Sequence, residues 1–366
     1  MKIAVDAREL AGRPTGVGRY LAEILRCWQH DPAAARHEIV LLAHTAFDWP
    51  GTGAGARITT EIVPGSGRVW WEQRALAAAV WRLKADVLFC PGYSGPLLAR
   101  TPMVVTLHDV SFWAHPEWFS RRESLRRRAT TLAVSRRARL ILTVSQFSRD
   151  EIVHWLGAPE DRIRVVHNGI GLATPDSTGP GPGAAGPPVI LTVGTILNRR
   201  HVDVLIRAFA QVASAVPDAR LVIVGDNRTH PHQDLAALAR ELQVEGAVDL
   251  RSYVSDEELR SLYAQARAFA FLSTYEGFGM TPLEALAAGI PTVVYDTPVA
   301  REVYGSSAEM VPIGNVDALA ARLREMLTLP DDPIRRARIV DNIRTRYTWS
   351  RAANETLAAL EEAARP

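Results

Sequence analysis

The chain has 366 residues, enough for about two domains that each bury a core of their own. Hydrophobic residues make up 47% and charged residues 22%, ordinary for a globular protein, and a net charge of +2 gives no basis for nucleic-acid binding. The only cysteines, Cys27 and Cys90, lack metal-type pairing, which argues against a disulfide framework or a zinc site and fits a reducing cytoplasm.

The opening MKIAVDAREL reads as a short strand followed by charge, without the apolar core of a signal peptide. No apolar run approaches the roughly 20 residues of a transmembrane helix. The expectation is a soluble protein, bound at most to a membrane surface. Strands are expected at Ile3–Val5, Ile39–Leu42, Ile58–Val63, Val87–Phe89, Met103–Leu107 and Leu140–Val144, with helices such as Gly18–Trp28 and Glu72–Leu83 between them. Such alternation implies a parallel sheet with helices on both faces.

Composition then shifts. Ala173–Pro188, ATPDSTGPGPGAAGPP, carries one charge and reads as an exposed linker. Beyond it the pattern restarts: strand Val189–Val193, helix Asp203–Val216, strand Leu221–Val224, helix Gln233–Leu242, strand Val248–Leu250 and helix Asp256–Arg267. Strand Ala268–Leu272 follows, then a glycine turn, a short helix and strand Thr292–Tyr295; after Pro312 the chain reads as mostly helical. The architecture repeats, although the sequence does not.

Five stretches carry chemistry. TGVGRY, Thr15–Tyr20, follows the first strand, and its Gly16 and Gly18 read as a tight turn or as part of a ligand loop. His108 and Asp109 end the apolar strand MVVTL, where open parallel sheets bind ligands; a helix-capping Asp with an incidental neighbour explains them equally well. Arg121–Arg139 holds eight arginines and one acid, with Leu125, Ala129, Leu132 and Ala133 at helical spacing. That basic helix is first of all a solvated face, and otherwise a contact for anionic headgroups or an acceptor phosphate. Arg199 and Arg200 stand before a helix, a position suited to a diphosphate. Last comes STYEGFGMTPLEALAAGIPTVV, Ser273–Val294, in which Glu276 and Glu284 flank the glycine turn with seven residues between them. Thr281, Pro282 and Glu284 fit a capping box, which accounts for Glu284, whereas Glu276 has no evident structural task.

Together these pieces resemble glycosyltransferase family 4, whose members are retaining enzymes of the GT-B fold. The resemblance also takes in TLHDVSF (Thr106–Phe112), VVHNGI (Val165–Ile170) and RSYVSDEELRSLYAQA (Arg251–Ala266). It implies an α/β chain of two facing Rossmann-like domains with the donor cleft between them. The domains are expected at 1–172, joined by the C-terminal helix 350–366, and at 189–349, with 173–188 as the linker. It implies roles too. Glu276 would bind donor-sugar hydroxyls, Glu284 the ribose, Arg199 and Arg200 the diphosphate, and His108 the sugar near the reacting carbon. Gly16 and Gly18 would face the diphosphate. Gly277, Phe278, Gly279, Met280 and Thr281 would complete the cradle, and Tyr253 and Val254 lie in the nucleobase segment. The family pattern has Lys where this chain has Arg200.

The expected reaction moves a hexose, mannose foremost, from a GDP- or UDP-linked donor to a saccharide or lipid-linked saccharide, with retention and without a metal. No further cofactor is expected. Trp70, Trp71, Asp109 and Trp113 are the acceptor-side candidates, the tryptophans reading equally as core and loop anchors, and the expected setting is the cytoplasm or the inner face of the membrane. Rival readings are a non-catalytic nucleotide-sugar-binding protein and a sugar-nucleotide epimerase of the same fold. A nicotinamide-dependent oxidoreductase is disfavoured by the incomplete glycine fingerprint.

Overall fold

A computed structural model describes residues 1–12, 16–50, 53–65, 67–171 and 186–365. The expected linker 173–188 therefore lies almost wholly outside the described residues, as does Thr15. The chain divides into two compact units, one of Met1–Gly169 with Tyr347–Pro366 and one of Ile170–Arg346.

The first unit is built on seven strands: β1 (Lys2–Asp6), β2 (Glu38–Ala43), β3 (Arg57–Ile62), β4 (Val87–Cys90), β5 (Met103–Thr106), β6 (Leu140–Thr143) and β7 (Ile163–Val165). Their order is β3-β2-β1-β4-β5-β6-β7, with every pair parallel. Chain direction across the sheet reverses between β1 and β4, and this switch point is where the following loops part and leave room for a ligand. Strands β4 and β5 are buried along their whole length, as expected when both faces are covered.

The first helix, Gly16–His30, buries Tyr20, Leu21, Ile24, Leu25 and Trp28 on one face. It packs against the C-terminal helix Trp349–Ala364. The Trp28 indole donates to the Ala353 carbonyl at 2.8 Å, which ties the last helix into the core laid down by the first. Gly169 passes so close to this helix that a Cβ there would lie 2.2 Å from the Trp349 nitrogen.

The second unit has six strands: β8 (Val189–Val193), β9 (Arg220–Val224), β10 (Val248–Arg251), β11 (Ala266–Phe271), β12 (Thr292–Tyr295) and β13 (Glu309–Val311). Their parallel order, β10-β9-β8-β11-β12-β13, puts the switch point between β8 and β11. Helix Val202–Ala215 buries Leu205, Ile206, Phe209 and Val212 in the same cluster as Leu319 and Leu323 from helix Val316–Thr328.

Two strands escape the sequence reading. β7 and β13 are three residues each, too short for alternation to show. The helix expected at Glu72–Leu83 starts earlier, at 68, and so takes in Trp70 and Trp71; its middle, Trp71–Leu76, is π-helical. The basic helix forms at Arg121–Arg137 and differs in its facing. Leu125, expected on the inner stripe, is 70% exposed, while Ser124, Thr131, Val134 and Ser135 face inward. Small residues line the inward face, where Leu132 still packs against the core, while Leu125 and Ala129 point outward among the arginines.

Three histidines, His37, His108 and His201, have their pKa lowered, in each case chiefly because burial disfavours the charged ring. The unfolded chain takes up these protons first as pH falls. Their contribution to stability is therefore complete above the ordinary value of about 6.5 and declines as pH drops below it. Denaturant midpoints should fall between pH 7 and pH 5, and less steeply in His108→Gln. An unchanged slope in that variant would show that His108 is not held neutral by the fold.

Candidate functional site

In the second unit the loops after β8 and β11 form one cluster. Gly194 follows β8 with φ +128°, and a Cβ there would lie 2.1 Å from Arg200 Nη1. Only glycine lets the Arg200 side chain fold back over the strand end. Asn198–Arg200 is a single 3-10 turn, and the Arg199 carbonyl accepts from the Thr274 amide at 2.9 Å, stitching the two loops together.

Glu276 sits between the arginines. Its Oε1 accepts from Arg200 Nε at 3.3 Å and from Ser273 Oγ at 3.0 Å, and Arg199 Nε stands 3.7 Å away. These side chains are between 14% and 18% exposed, so water screens the charges weakly. Glu276 thus has the structural task that its sequence context did not reveal: it is the counter-charge that lets two guanidinium groups share one pocket wall. Burial lowers the Arg200 pKa, with Glu276 opposing and Arg199 adding to the effect. Its guanidinium lies 4.8 Å from the Phe271 ring, and its buried Nη1 has no hydrogen-bond partner. A buried guanidinium donor without an acceptor suits an anionic ligand.

The turn that follows does not form the expected capping box. Helix Met280–Ala287 starts from Gly279, at φ +80°, and no side chain caps it. Thr281 is therefore inside the first turn, and its hydroxyl is buried without a partner. Pro282 is tolerated because first-turn amides have no intrahelical acceptor. Glu284 lies beyond capping range, 7% exposed, and accepts from the Tyr263 hydroxyl at 3.2 Å. Tyr304 fixes the turn without capping the helix. Its hydroxyl lies 3.2 and 3.0 Å from the Phe278 and Gly279 carbonyls, and a Cβ on Gly279 would lie 2.0 Å from it. Holding those carbonyls back leaves the helix N-terminus open to an anion.

The cluster therefore joins Arg199, Arg200, Glu276, Gly277, Phe278, Gly279, Met280 and Thr281, with Glu284 in the helix that follows. Val254 is buried after β10, whereas Tyr253 is 83% exposed. Ser273, Tyr304 and Gly194 were not anticipated. A glycine at a strand end is a readable signal for Gly194, but Tyr304 arrives from a distant helix and leaves no local trace.

In the first unit His108 lies two residues beyond β5. Its Nε2 hydrogen-bonds the Pro91 carbonyl at 2.9 Å. A carbonyl only accepts, so Nε2 carries the proton and Nδ1 of the neutral ring is an acceptor. The Tyr20 ring meets it edge-on at 4.9 Å, from the helix that opens with Gly16 and Gly18.

Three acceptor-side candidates have other tasks. Asp109 Oδ1 accepts from the Ser111 amide at 2.9 Å and hydroxyl at 2.8 Å, the turn-forming role that competed with a functional one. Trp71 is 3% exposed and donates to the Val63 carbonyl, so it belongs to the core. Trp113 lies beneath the Arg128 guanidinium at 4.3 Å and donates to Thr131, anchoring the basic helix. Trp70 is 61% exposed. Among the described residues no group of three or more His, Cys, Asp or Glu side chains stands together as a metal-binding set.

Comparison with known proteins agrees with this arrangement. The family model described as "Glycosyl transferases group 1" matches residues 181–346, and "Glycosyltransferase Family 4" matches residues 14–174. O-antigen chain mannosyltransferase B of Escherichia coli is 30% identical over 270 residues, which cover 70% of this chain and 69% of that one. GDP-mannose:cellobiosyl-diphosphopolyprenol alpha-mannosyltransferase of Komagataeibacter xylinus is 33% identical over 174 residues, 45% of this chain and 43% of that one. Among solved structures, Anabaena Alr3699/HepE in complex with UDP and glucose superposes with a TM-score of 0.70 at 22% identity, covering 99% of this chain and 100% of that one. The chain belongs to glycosyltransferase family 4 and is a glycosyltransferase of the GT-B fold.

Proposed function

We propose that the protein moves a hexose, mannose foremost, from a nucleoside-diphosphate sugar to a hydroxyl of a saccharide or lipid-linked saccharide in cell-envelope polysaccharide or glycolipid synthesis. The observation that carries this reading is the Arg199–Arg200 pair balanced on Glu276, with Arg200 Nη1 unpartnered and the Met280 helix uncapped by any side chain. The names of the mannosyltransferase relatives support mannose and a GDP-linked donor. The Anabaena protein, crystallised with UDP and glucose, makes a UDP-hexose the second choice.

In this reading the bond between the anomeric carbon and the diphosphate oxygen breaks, and the nucleoside diphosphate leaves with the electron pair. Arg199, Arg200 and the first-turn amides of helix Met280–Ala287 stabilise the charge that builds on it, so the diphosphate is held without a metal. The acceptor hydroxyl forms the new bond on the same face and gives its proton to a phosphate oxygen, which retains the anomeric configuration. Glu276 Oε1 is engaged by Arg200 and Ser273, so Glu276 orients sugar hydroxyls rather than acting as the nucleophile. His108 Nδ1 accepts from a substrate hydroxyl, and Glu284 holds the ribose.

The outward face of the basic helix suits attachment to an anionic membrane surface. Leu125 is exposed beside Arg121, Arg122 and Arg126, and no helix among the described residues is long and apolar enough to cross a membrane. Flotation with phosphatidylglycerol vesicles should carry the protein upward, and charge reversal of those three arginines should abolish this. Equal flotation with neutral vesicles would contradict an electrostatic contact.

Glu276→Gln removes the counter-charge and should lower stability by about 1–3 kcal/mol without unfolding the protein. Turnover, followed as nucleoside diphosphate release and as sugar added to the acceptor, should fall by roughly 100-fold or more. Wild-type rates in this variant would remove Glu276 from the reaction. Release without any glycosylated product would point to hydrolysis instead of transfer.

A further inference from the structure

The first unit holds a buried ion cluster at its switch point. Arg8, just past β1, grips Asp6 with Nε at 2.9 Å from each carboxylate oxygen. Its Nη2 bonds Asp6 again and reaches Glu72 Oε2 at 2.5 Å. Asp6 and Glu72 are 3% and 6% exposed, so the cluster is almost dry. Glu72 lies in the π-helical turn Trp71–Leu76, a local widening that is uncommon in helices and frequent near functional sites.

From Glu72 the contacts pass to the loop after β4. Ser94 Oγ donates to Glu72 Oε2 at 2.6 Å, and Gln73 Nε2 bridges Glu72 Oε1 at 2.8 Å to the Gly95 carbonyl at 3.0 Å. Gln73 Oε1 accepts from the Leu97 amide. The same loop touches the candidate site on its other side. Its Pro91 carbonyl accepts from the His108 Nε2–H, the Tyr93 ring lies 5.7 Å from the His108 ring, and the Tyr93 hydroxyl reaches Asp109 at 3.3 Å. A Cβ on Gly92 would lie 2.9 Å from Val17, between Gly16 and Gly18. Tyr93 itself holds φ +54°, a conformation that non-glycine residues keep only where surrounding contacts impose it.

We infer that Glu72, fixed by Arg8 and Asp6, is a positioning residue: through Ser94 it sets the loop Pro91–Gly95 and so keeps His108 as the Nε2–H tautomer with Nδ1 free to accept a substrate hydroxyl. Neither carboxylate of the cluster reaches substrate in this scheme. The inference rests on the proposed use of His108 in sugar transfer, but the tautomer itself is independent of it.

The test reads the two separately. Nitrogen-15 spectra of the full-length protein at pH 7.5, with the His108 signals identified by their loss in His108→Gln, distinguish protonated from unprotonated ring nitrogens without any substrate. The wild type should show Nε2 protonated. Ser94→Ala, which leaves the ion cluster whole, and Glu72→Gln should both show mixed tautomers, and Ser94→Ala keeps the question answerable if Glu72→Gln does not fold. In transfer assays kcat should fall by about 10- to 100-fold, the scale of a small misplacement near the chemistry, while KM for the donor stays within about twofold. A pure Nε2–H tautomer in folded Ser94→Ala would overturn the inference, whereas mixed tautomers with wild-type kcat would remove His108 from the proposed transfer instead.

Discussion

The carboxylate of Glu276 between Arg199 and Arg200 is the constraint from which the second unit's site follows. Two guanidinium groups this close repel, and burial raises the cost by removing water. One carboxylate relieves it, and the group keeps a surplus positive charge directed at whatever occupies the turn. The arrangement needs Gly194 to make room for Arg200, Ser273 to orient Glu276 and Tyr304 to hold the Phe278 and Gly279 carbonyls back from the helix N-terminus. The proposed anion grip thus belongs to the whole turn rather than to any single residue.

Topology explains why these residues meet. In each unit the strand order reverses beside its first strand, and the loops that part there carry the polar side chains. In the second unit they follow β8 and β11, and in the first they follow β1, β4 and β5. The surrounding strands are apolar and closely packed, so these loops are held from below by a stiff platform. Preorganisation of this kind is what electrostatic stabilisation of a departing diphosphate requires, because dipoles fixed in advance need no reordering as charge develops.

The sequence made the alternation of strands and helices legible because long apolar strands announce themselves, as Val189–Val193 and Met103–Thr106 do. β7 and β13 stayed hidden because three residues carry no periodicity. The site was legible where its chemistry is local: two adjacent arginines after a strand, and a glutamate before a glycine turn. It was misread where a local pattern competed with a tertiary one. Thr281, Pro282 and Glu284 spell a capping box, yet Gly279 in the left-handed region starts the helix earlier and Tyr263 takes up Glu284. The outward turn of Leu125 is likewise set by packing against distant elements, and the burial of Trp71 decides between two readings that adjacent residues left equal.

Calorimetric titration of GDP-mannose and UDP-glucose into the protein, beside an Arg200→Met variant of similar volume, addresses the diphosphate grip at its source. The account predicts one site per chain for at least one of these donors and a loss of roughly 100-fold in affinity in the variant, as expected for removing a buried guanidinium from a phosphate. Absence of binding by both donors, or equal affinity in Arg200→Met, would contradict it.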